Sequence, residues 1–351
     1  MKSPLVSVCM ASYNHAPFIR TAVESVLRQT VVDWELVITD DGSVDGTLPA
    51  LGGINDDRVR VHAFPENRSA CVALNHSIQQ ARGRFIAILN SDDAWAPEKL
   101  AKQLAVMEAK PQTAAVFTLA AMVDERGQPL PDGHPSHEIF QRPNRARIDW
   151  LRRLILEGNC LCHPSVLVRS DVYREVGFYD ERMAQLPDLD MWIRICMRHD
   201  IWVIQEKLTV FRLLDHERNA SGNRPEVRVR SAVENIFVYL KAFRDFPAEM
   251  ASVVRSPEDS SARLDADKRA DPLAIMLQDR GGPPGPIGMR IAQLIWMYEQ
   301  LSRGGGWPSC KEFIQQTGAG DPLNLLALEL AVIQSSAPDR RRWWHRFTGE
   351  S

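Results

Sequence analysis

Apolar and polar positions alternate in blocks along the first 110 residues. "LVSVCM" (5–10) is a short, continuous apolar run, the pattern of a strand buried on both faces. From Pro17, "PFIRTAVESVLRQT" places Phe18, Ala22 and Val26, and also Ile19, Val23 and Leu27, at helical spacing. "WELVITD" (34–40) reads as a second strand, followed by the turn chemistry of "DDGSVDGT", and "VRVHAF" (59–64) as a third. "SACVALNHSIQQA" (69–81) reads as a helix closed by Gly83, "FIAILN" (85–90) as a fourth strand and "PEKLAKQLAVMEA" (97–109) as a further helix. Strands alternating with helices of this length predict a parallel, right-handed α/β sheet. Ligands of such sheets bind beyond the carboxyl ends of the strands. Each strand here ends in polar residues: Ser12-Tyr13-Asn14, Asp40-Asp41, Glu66-Asn67 and Asn90 to Asp93. The four clusters are expected on one edge of the sheet.

The pattern changes from about residue 114. "AAVFTLAAMVDERGQPL" predicts a strand and turn, "RIDWLRRLILEGN" (147–159) a helix, and "PSVLVRSDVYREVGFYDE" (164–181) a strand and a short helix. "DLDMWIRICMRH" (188–199) predicts an amphipathic helix with Trp192 and Ile193 in the core, and "IWVIQEKLTVFRLL" (201–214) a strand. This half mixes with the first, so residues 1–220 read as one domain with halves of about 1–110 and 111–220. Residues 226–351 read as a helical C-terminal appendage, with a polar connection at 255–272 and an interruption at "RGGPPGP" (280–286).

A chain of 351 residues suits one long domain or two. The formal net charge of −3 argues against a general nucleic-acid binder. No apolar run is long enough to span a bilayer and "MKSPLVSVCMASYNH" carries no signal-peptide pattern, so a soluble cytoplasmic chain is expected. The closing stretch, "PDRRRWWHRFTGES", sets arginines beside tryptophans. It suits either peripheral contact with the inner face of a membrane or a terminal helix docked on its neighbours. Of six cysteines, Cys9 and Cys196 sit in apolar segments and read as small core residues. "CLCH" (160–163) lacks a second Cys/His pair at zinc spacing, and His163 reads as a hydrogen-bonded structural residue.

Two adjacent carboxylates, Asp92 and Asp93, close the fourth strand. They repel each other, so they call for an opposing cation or ample water. Either Asp93 starts the helix that Pro97 begins, or the pair belongs to a divalent-metal site at the sheet edge. "DDGSVDGT" lacks the Lys-Ser/Thr of a phosphate-cradling loop, and no GxGxxG follows the first strand. Acids at strand ends instead suit base and ribose hydroxyls, with a metal to offset diphosphate charge. "PDLD" (187–190) places Asp188 and Asp190 at a helix start, where they fit capping, general-base work, or both.

These segments resemble the inverting family 2 glycosyltransferases of GT-A fold. "VSVCMASYNHAPFIRTAVESVLRQTVVDWELVITDDGSVDGT" resembles their opening nucleotide-binding segment, and "ENRSACVALNHSIQQARGRFIAILNSDDAWAPEKL" the segment with the DxD-type metal motif. "HPSVLVRSDVYREVGFYDERMAQLPDLDMWIRI" is similar to the acceptor half. The likeness covers roughly residues 4–215 and not the appendage. It implies a GT-A sheet, mostly parallel and flanked by helices, with a nucleotide-binding half and an acceptor half. The implied activity is transfer of a sugar, with inversion, from a nucleotide-diphosphate donor, UDP-linked, to a hydroxyl of a glycan or lipid-linked acceptor, assisted by Mn2+ or Mg2+. Ala11, Tyr13 and Asp40 would line the base, with Asp41 and Arg68 nearby. Asp92 and Asp93 would flank the diphosphate, with Asp93 as direct metal ligand and His216 as a late one. Asp188 aligns with the base, and Asp190 is its alternative. Asn90 stands where an acid is usual, Ser69 where Gly is, Leu74 where Arg is, and Pro187 where an acid precedes the base. Asn90 and Pro187 favour the alternative class, an inactive sugar-nucleotide-binding or scaffolding protein of the same fold.

Overall fold

The computed structural model describes residues 3–215, 218–222 and 224–245. Its strands are β1 (Val6–Ser12), β2 (Trp34–Asp40), β3 (Val59–Ala63), β4 (Phe85–Ile88), β5 (Ala94–Trp95), β6 (Thr113–Val123), β7 (Leu167–Arg169) and β8 (Asp200–Arg212). The helices are α1 (Ile19–Leu27), α2 (Thr47–Gly52), α3 (Ala70–Gln80), α4 (Lys99–Ala109), α5 (Arg147–Glu157), α6 (Ser170–Val176), α7 (Pro187–Cys196) and α8 (Pro225–Asp245).

All eight strands form one sheet in the order β3-β2-β1-β4-β7-β6-β8-β5. The first four run parallel, as the alternation of strands and helices requires. β7 is antiparallel to both β4 and β6, β8 runs parallel to β6, and β5 closes the far edge antiparallel to β8. The sheet is therefore mixed, and its reversal falls where the apolar pattern changes. Every residue of β1 but Ala11, and all of β2 and β4, is buried. α1 buries Ile19, Ala22, Val23 and Val26 against that sheet, in one core with Val8, Leu36 and Leu89. Trp192 and Ile193 are core residues, each 1% exposed. The buried Glu35 on β2 takes hydrogen bonds from Ser7 Oγ (2.6 Å) and the Arg82 amide (2.8 Å), and ion pairs from Arg60 (2.9 Å) and Arg82 (2.6 Å). Gly83 permits this fastening: a Cβ there would lie 2.5 Å from the Ser7 amide.

The helix expected from Pro97 begins at Lys99, because β5 takes up Ala94 and Trp95 first. Asp93 therefore precedes an edge strand and is not in a helical turn. The described residues fall into two compact units. One comprises residues up to Arg147 with Asn159–Ala220, and the other contains Ile148–Gly158 and, from Ser221 on, α8. The remainder of the appendage and the arginine–tryptophan tail lie outside the described residues. Among the described residues no helix is long and apolar enough to cross a membrane.

Candidate active site

The register places Ser12 beside Asp40 at the carboxyl ends of β1 and β2. Asp40 is buried, and its carboxylate accepts from Ser12 Oγ (2.8 Å), the Ser43 amide (2.8 Å) and Ser43 Oγ (2.6 Å). A carboxylate offers about four lone-pair sites, so one remains for a further donor. Asp41 is buried too and accepts the amides of Arg68 (2.7 Å) and Ser69 (3.0 Å). Burial, aided by the charge of Asp40, holds its carboxyl above the usual range despite those amides. The turn closes through Gly42 (φ +74°), where a Cβ would strike the Glu66 main chain at 2.5 Å. Ser69 itself has φ +100° and ψ 149°, a backbone region that is essentially glycine's. The customary glycine is thus absent at a place that still demands its conformation. Tyr13 is 43% exposed at this edge, Ala11 is half-buried, and the exposed Arg68 holds its guanidinium 5.2 Å from the Phe64 ring centroid.

The turn after β4 sorts its two carboxylates by burial. Asp93, expected as the direct metal ligand and as solvent-facing, is 2% exposed. Its Oδ1 accepts the Arg212 amide (2.8 Å) and its Oδ2 the side-chain amide of Asn90 (3.0 Å). Burial and then the charge of Asp92 push its carboxyl well above the usual range. Asn90 suits this place better than an acid, because it donates where a third carboxylate would repel. Asp92 is half-exposed, and burial raises its carboxyl while His15 and Arg212 pull it down. His15 reaches the same turn from the β1–α1 loop, its Nδ1 2.7 Å from Ser91 Oγ.

Arg212, at the end of β8, is a residue of this edge that sequence reasoning missed. Besides the amide bond to Asp93, its Nε donates to the Asp92 carbonyl (2.9 Å) and its guanidinium to the carbonyls of Asp124 (3.3 Å) and Glu125 (2.8 Å). The available signal was a lone cation at the close of an apolar strand, "VFRLL". His216 lies outside the described residues.

Asp92 fits a divalent cation: it is a half-exposed carboxylate in a partly dry place, and no described side chain hydrogen-bonds it. No group of three His, Cys, Asp or Glu that could cage a metal occurs among the described residues. A cation here would share its coordination with ligand oxygens. Cys160 and Cys162 of "CLCH" are buried thiols outside any disulfide, and His163 Nε2 lies 3.0 Å from the Tyr179 hydroxyl. Burial lowers the His163 ring to about 4, which suits a neutral structural histidine.

The two acids of α7 also part company. Asp190 is 2% exposed and ion-paired to Arg194 (2.7 Å), whose guanidinium also holds the carbonyls of Val176, Gly177 and Phe178. Asp188 is half-exposed in the first turn, with Pro187 before it; its Oδ1 accepts the Leu189 amide (2.8 Å) and its Oδ2 the Asn159 side-chain amide. Asn159, also missed, begins the segment leading to Pro164, whose carbonyl accepts Trp95 Nε1 (2.8 Å) just beyond Asp93. That segment links the Asp188 carboxylate to the Asp92–Asp93 turn.

Residues 7–177 match the family model described as Glycosyl transferase family 2. The chain is 42% identical over 239 residues to TuaG of Bacillus subtilis (strain 168), a glycosyltransferase whose name assigns it to teichuronic acid biosynthesis. The match covers 67% of this chain and 87% of that one. Among solved structures, S. aureus TarS 1–349 in complex with UDP-GlcNAc superposes with a TM-score of 0.56 at 16% identity, over 98% of this chain and 87% of that one. The mannosyltransferase PcManGT of Pyrobaculum calidifontis, in complex with GDP-Man and Mn2+, gives a TM-score of 0.52 at 15% identity, over 95% and 86%. At such identities these structures speak for the fold, which is GT-A. On the family model and the 42% relative, the chain belongs to glycosyl transferase family 2 and is a glycosyltransferase.

Proposed function

We propose that the nucleotide-sugar donor of this glycosyltransferase is UDP-linked, and that its sugar passes with inversion to a hydroxyl of a glycan or lipid-linked acceptor in polysaccharide assembly. The observation that carries this reading is the sorting of acids at one sheet edge. Asp40 and Asp41 are buried and bonded, Asp92 is half-exposed and lacks a side-chain partner, and Asp188 stands half-exposed at the end of the Asn159–Pro164 link. The relative assigned to teichuronic acid and the neighbour bound to UDP-GlcNAc support the acceptor and donor classes.

Ala11 and Tyr13 line the base, and the remaining lone pair of Asp40 accepts a uracil imide N–H. Asp41 holds the Arg68–Ser69 main chain beside it. Asp92 would hold the Mn2+ or Mg2+, with Asp93 behind it as its fastening. When bound, the cation offsets diphosphate charge. Asp188 takes the proton of the acceptor hydroxyl as that oxygen bonds to the anomeric carbon. The bond from that carbon to the diphosphate oxygen breaks, and the nucleoside diphosphate leaves with the electron pair. Attack opposite the leaving group inverts the anomeric centre. Asp190 is committed to Arg194, so the base role falls to Asp188. Asn90 and Pro187, which favoured a non-catalytic reading, each serve locally here, as a donor to Asp93 and as the first residue of α7.

The test is a thermal-shift panel of nucleotide sugars with and without Mn2+, followed by transfer assays. UDP-linked donors should raise the melting temperature by mass action. Asp188→Asn should keep donor binding and lose transfer by about a hundredfold or more. Asp190→Asn should instead lose stability, about 3–5 kcal/mol for a broken buried pair. Active Asp188→Asn beside a stable, inactive Asp190→Asn would reverse the assignment, and no response to any UDP-sugar would reject the donor.

A further inference from the structure

The turn that carries Asp92 is short and lies outside the regular strands. Only Leu89, Asn90 and Ser91 separate it from β4, and the two-residue β5 follows at once. Its two acids are adjacent, and Asp93 is buried. One residue from the far side of the sheet bonds to both. Arg212 is 7% exposed and ends β8. Its amide takes Asp93 Oδ1 and leaves Asp93 facing inward. Its Nε takes the Asp92 carbonyl and not the carboxylate, so it fixes the Asp92 main chain and leaves the carboxylate unclaimed. Its other guanidinium nitrogen takes the Asp124 and Glu125 carbonyls, which belong to the tight turn after β6. That turn closes through Gly127 at φ +82°, a conformation that favours glycine.

The chain leaving β8 is tied to the same hub. Asn219 donates to the Arg212 carbonyl (2.9 Å) and accepts the Leu214 amide (2.8 Å), while Glu125 accepts the Asp215 amide (2.9 Å) and pairs with Arg218. A buried cation thus pins two chain segments through carbonyls, and its charge offsets both acids without quenching either by a direct side-chain bond. Lysine cannot reproduce this, since its ammonium is a point donor without the planar fork.

We infer that Arg212 is the positioning residue of the donor turn: it sets the main chain of Asp92 so that the Asp92 carboxylate is held free for the cation and diphosphate of the donor. The inference rests on the reading of Asp92 given above. Supporting residues behind a metal ligand typically contribute about 10–100-fold in affinity, and Arg212 is expected in that range although it touches neither cation nor donor.

The experiment uses the full chain and isothermal titration of UDP in the presence of Mn2+, with circular dichroism and donor and acceptor KM measured in parallel. Arg212→Gln should fold, bind Mn2+–UDP at least about tenfold more weakly, and raise donor KM with acceptor KM unchanged. Arg212→Lys, which keeps the charge but not the fork, should fall between Arg212→Gln and the unsubstituted protein. Asp92→Asn in the same titration tests the underlying reading. If Asp92→Asn binds Mn2+–UDP at full affinity, that reading fails and this inference with it. If Asp92→Asn weakens binding and Arg212→Gln does not, Arg212 alone is misassigned. If Arg212→Gln does not fold, Arg212→Lys decides, and full affinity there overturns the inference. An equal rise in donor and acceptor KM would also overturn it, as the mark of a merely structural role.

Discussion

Replacing Ser69 by glycine should stabilise the protein. Ser69 has φ +100° and ψ 149°, and its hydroxyl is buried without a hydrogen-bond partner. A non-glycine residue held in that region costs about 1–3 kcal/mol, and an unsatisfied buried hydroxyl costs about 1–3 kcal/mol more. Against this, glycine adds about 0.5–1 kcal/mol of unfolded-state entropy. The net gain is about 1–3 kcal/mol once partial relaxation of the loop is allowed for. For a unit of this size that is a rise of about 2–12 °C in Tm, at about 2–4 °C per kcal/mol. The contact with Asp41 comes from the Ser69 main-chain amide and survives the change, so donor binding should not fall. Thermal and urea unfolding of the full chain measure the effect. Ser69→Ala separates the two contributions, since it removes the hydroxyl but keeps the Cβ. An alanine gain equal to the glycine gain would show that backbone strain is not the source. A lower midpoint for Ser69→Gly would refute the reasoning outright.

Asp93→Ala should destabilise the fold as well as the donor site, because it strands the buried Arg212 amide and the Asn90 side chain. Relief of repulsion with Asp92 offsets part of this, leaving a loss of about 2 kcal/mol in urea unfolding; an unchanged midpoint would contradict the bonds described. Glu35 gives a pH signature. Burial alone would raise its carboxyl, but the bonds from Ser7 and Arg82 and the charge of Arg60 outweigh it and hold the group below its ordinary value. Its stabilisation is therefore complete above the unfolded carboxyl pKa of about 4.3 and is lost as pH falls through the lower folded value. The stability difference between the protein and its Glu35→Gln variant should shrink as pH falls from neutral through that window. A difference independent of pH would mean that the network does not depend on the charge.

The amino-acid sequence by itself determined the run of strands and helices. A strand buried on both faces must be continuously apolar, and a helix on a sheet must show an apolar stripe; both patterns are local and therefore visible in order along the chain. "LVSVCM", "WELVITD" and "FIAILN" became β1, β2 and β4, and "DLDMWIRICMRH" contributed α7, which runs from Pro187 to Cys196. Polar residues after buried strands marked the carboxyl edge of the sheet for the same reason. The six-residue α2 carried too short a pattern to be read, and β5 hid within the approach to α4.

Tertiary structure decided which acid in each pair is buried and which is left half-exposed. "SDD" and "DLD" each offer two carboxylates of identical chemistry; nothing local separates the first pair, whereas Asp190 has Arg194 one helical turn further on. The separation comes from partners distant in sequence or set by packing. For Asp93 the partner is the Arg212 amide, 119 residues away. For Asp190 it is Arg194, whose own seat depends on the carbonyls that end α6. Burial then raises the cost of an unpaired charge, so the paired carboxylate is drawn inward and its neighbour is left half-exposed to meet a ligand. Pairing across the sheet is a property of the folded chain, and composition and spacing do not contain it.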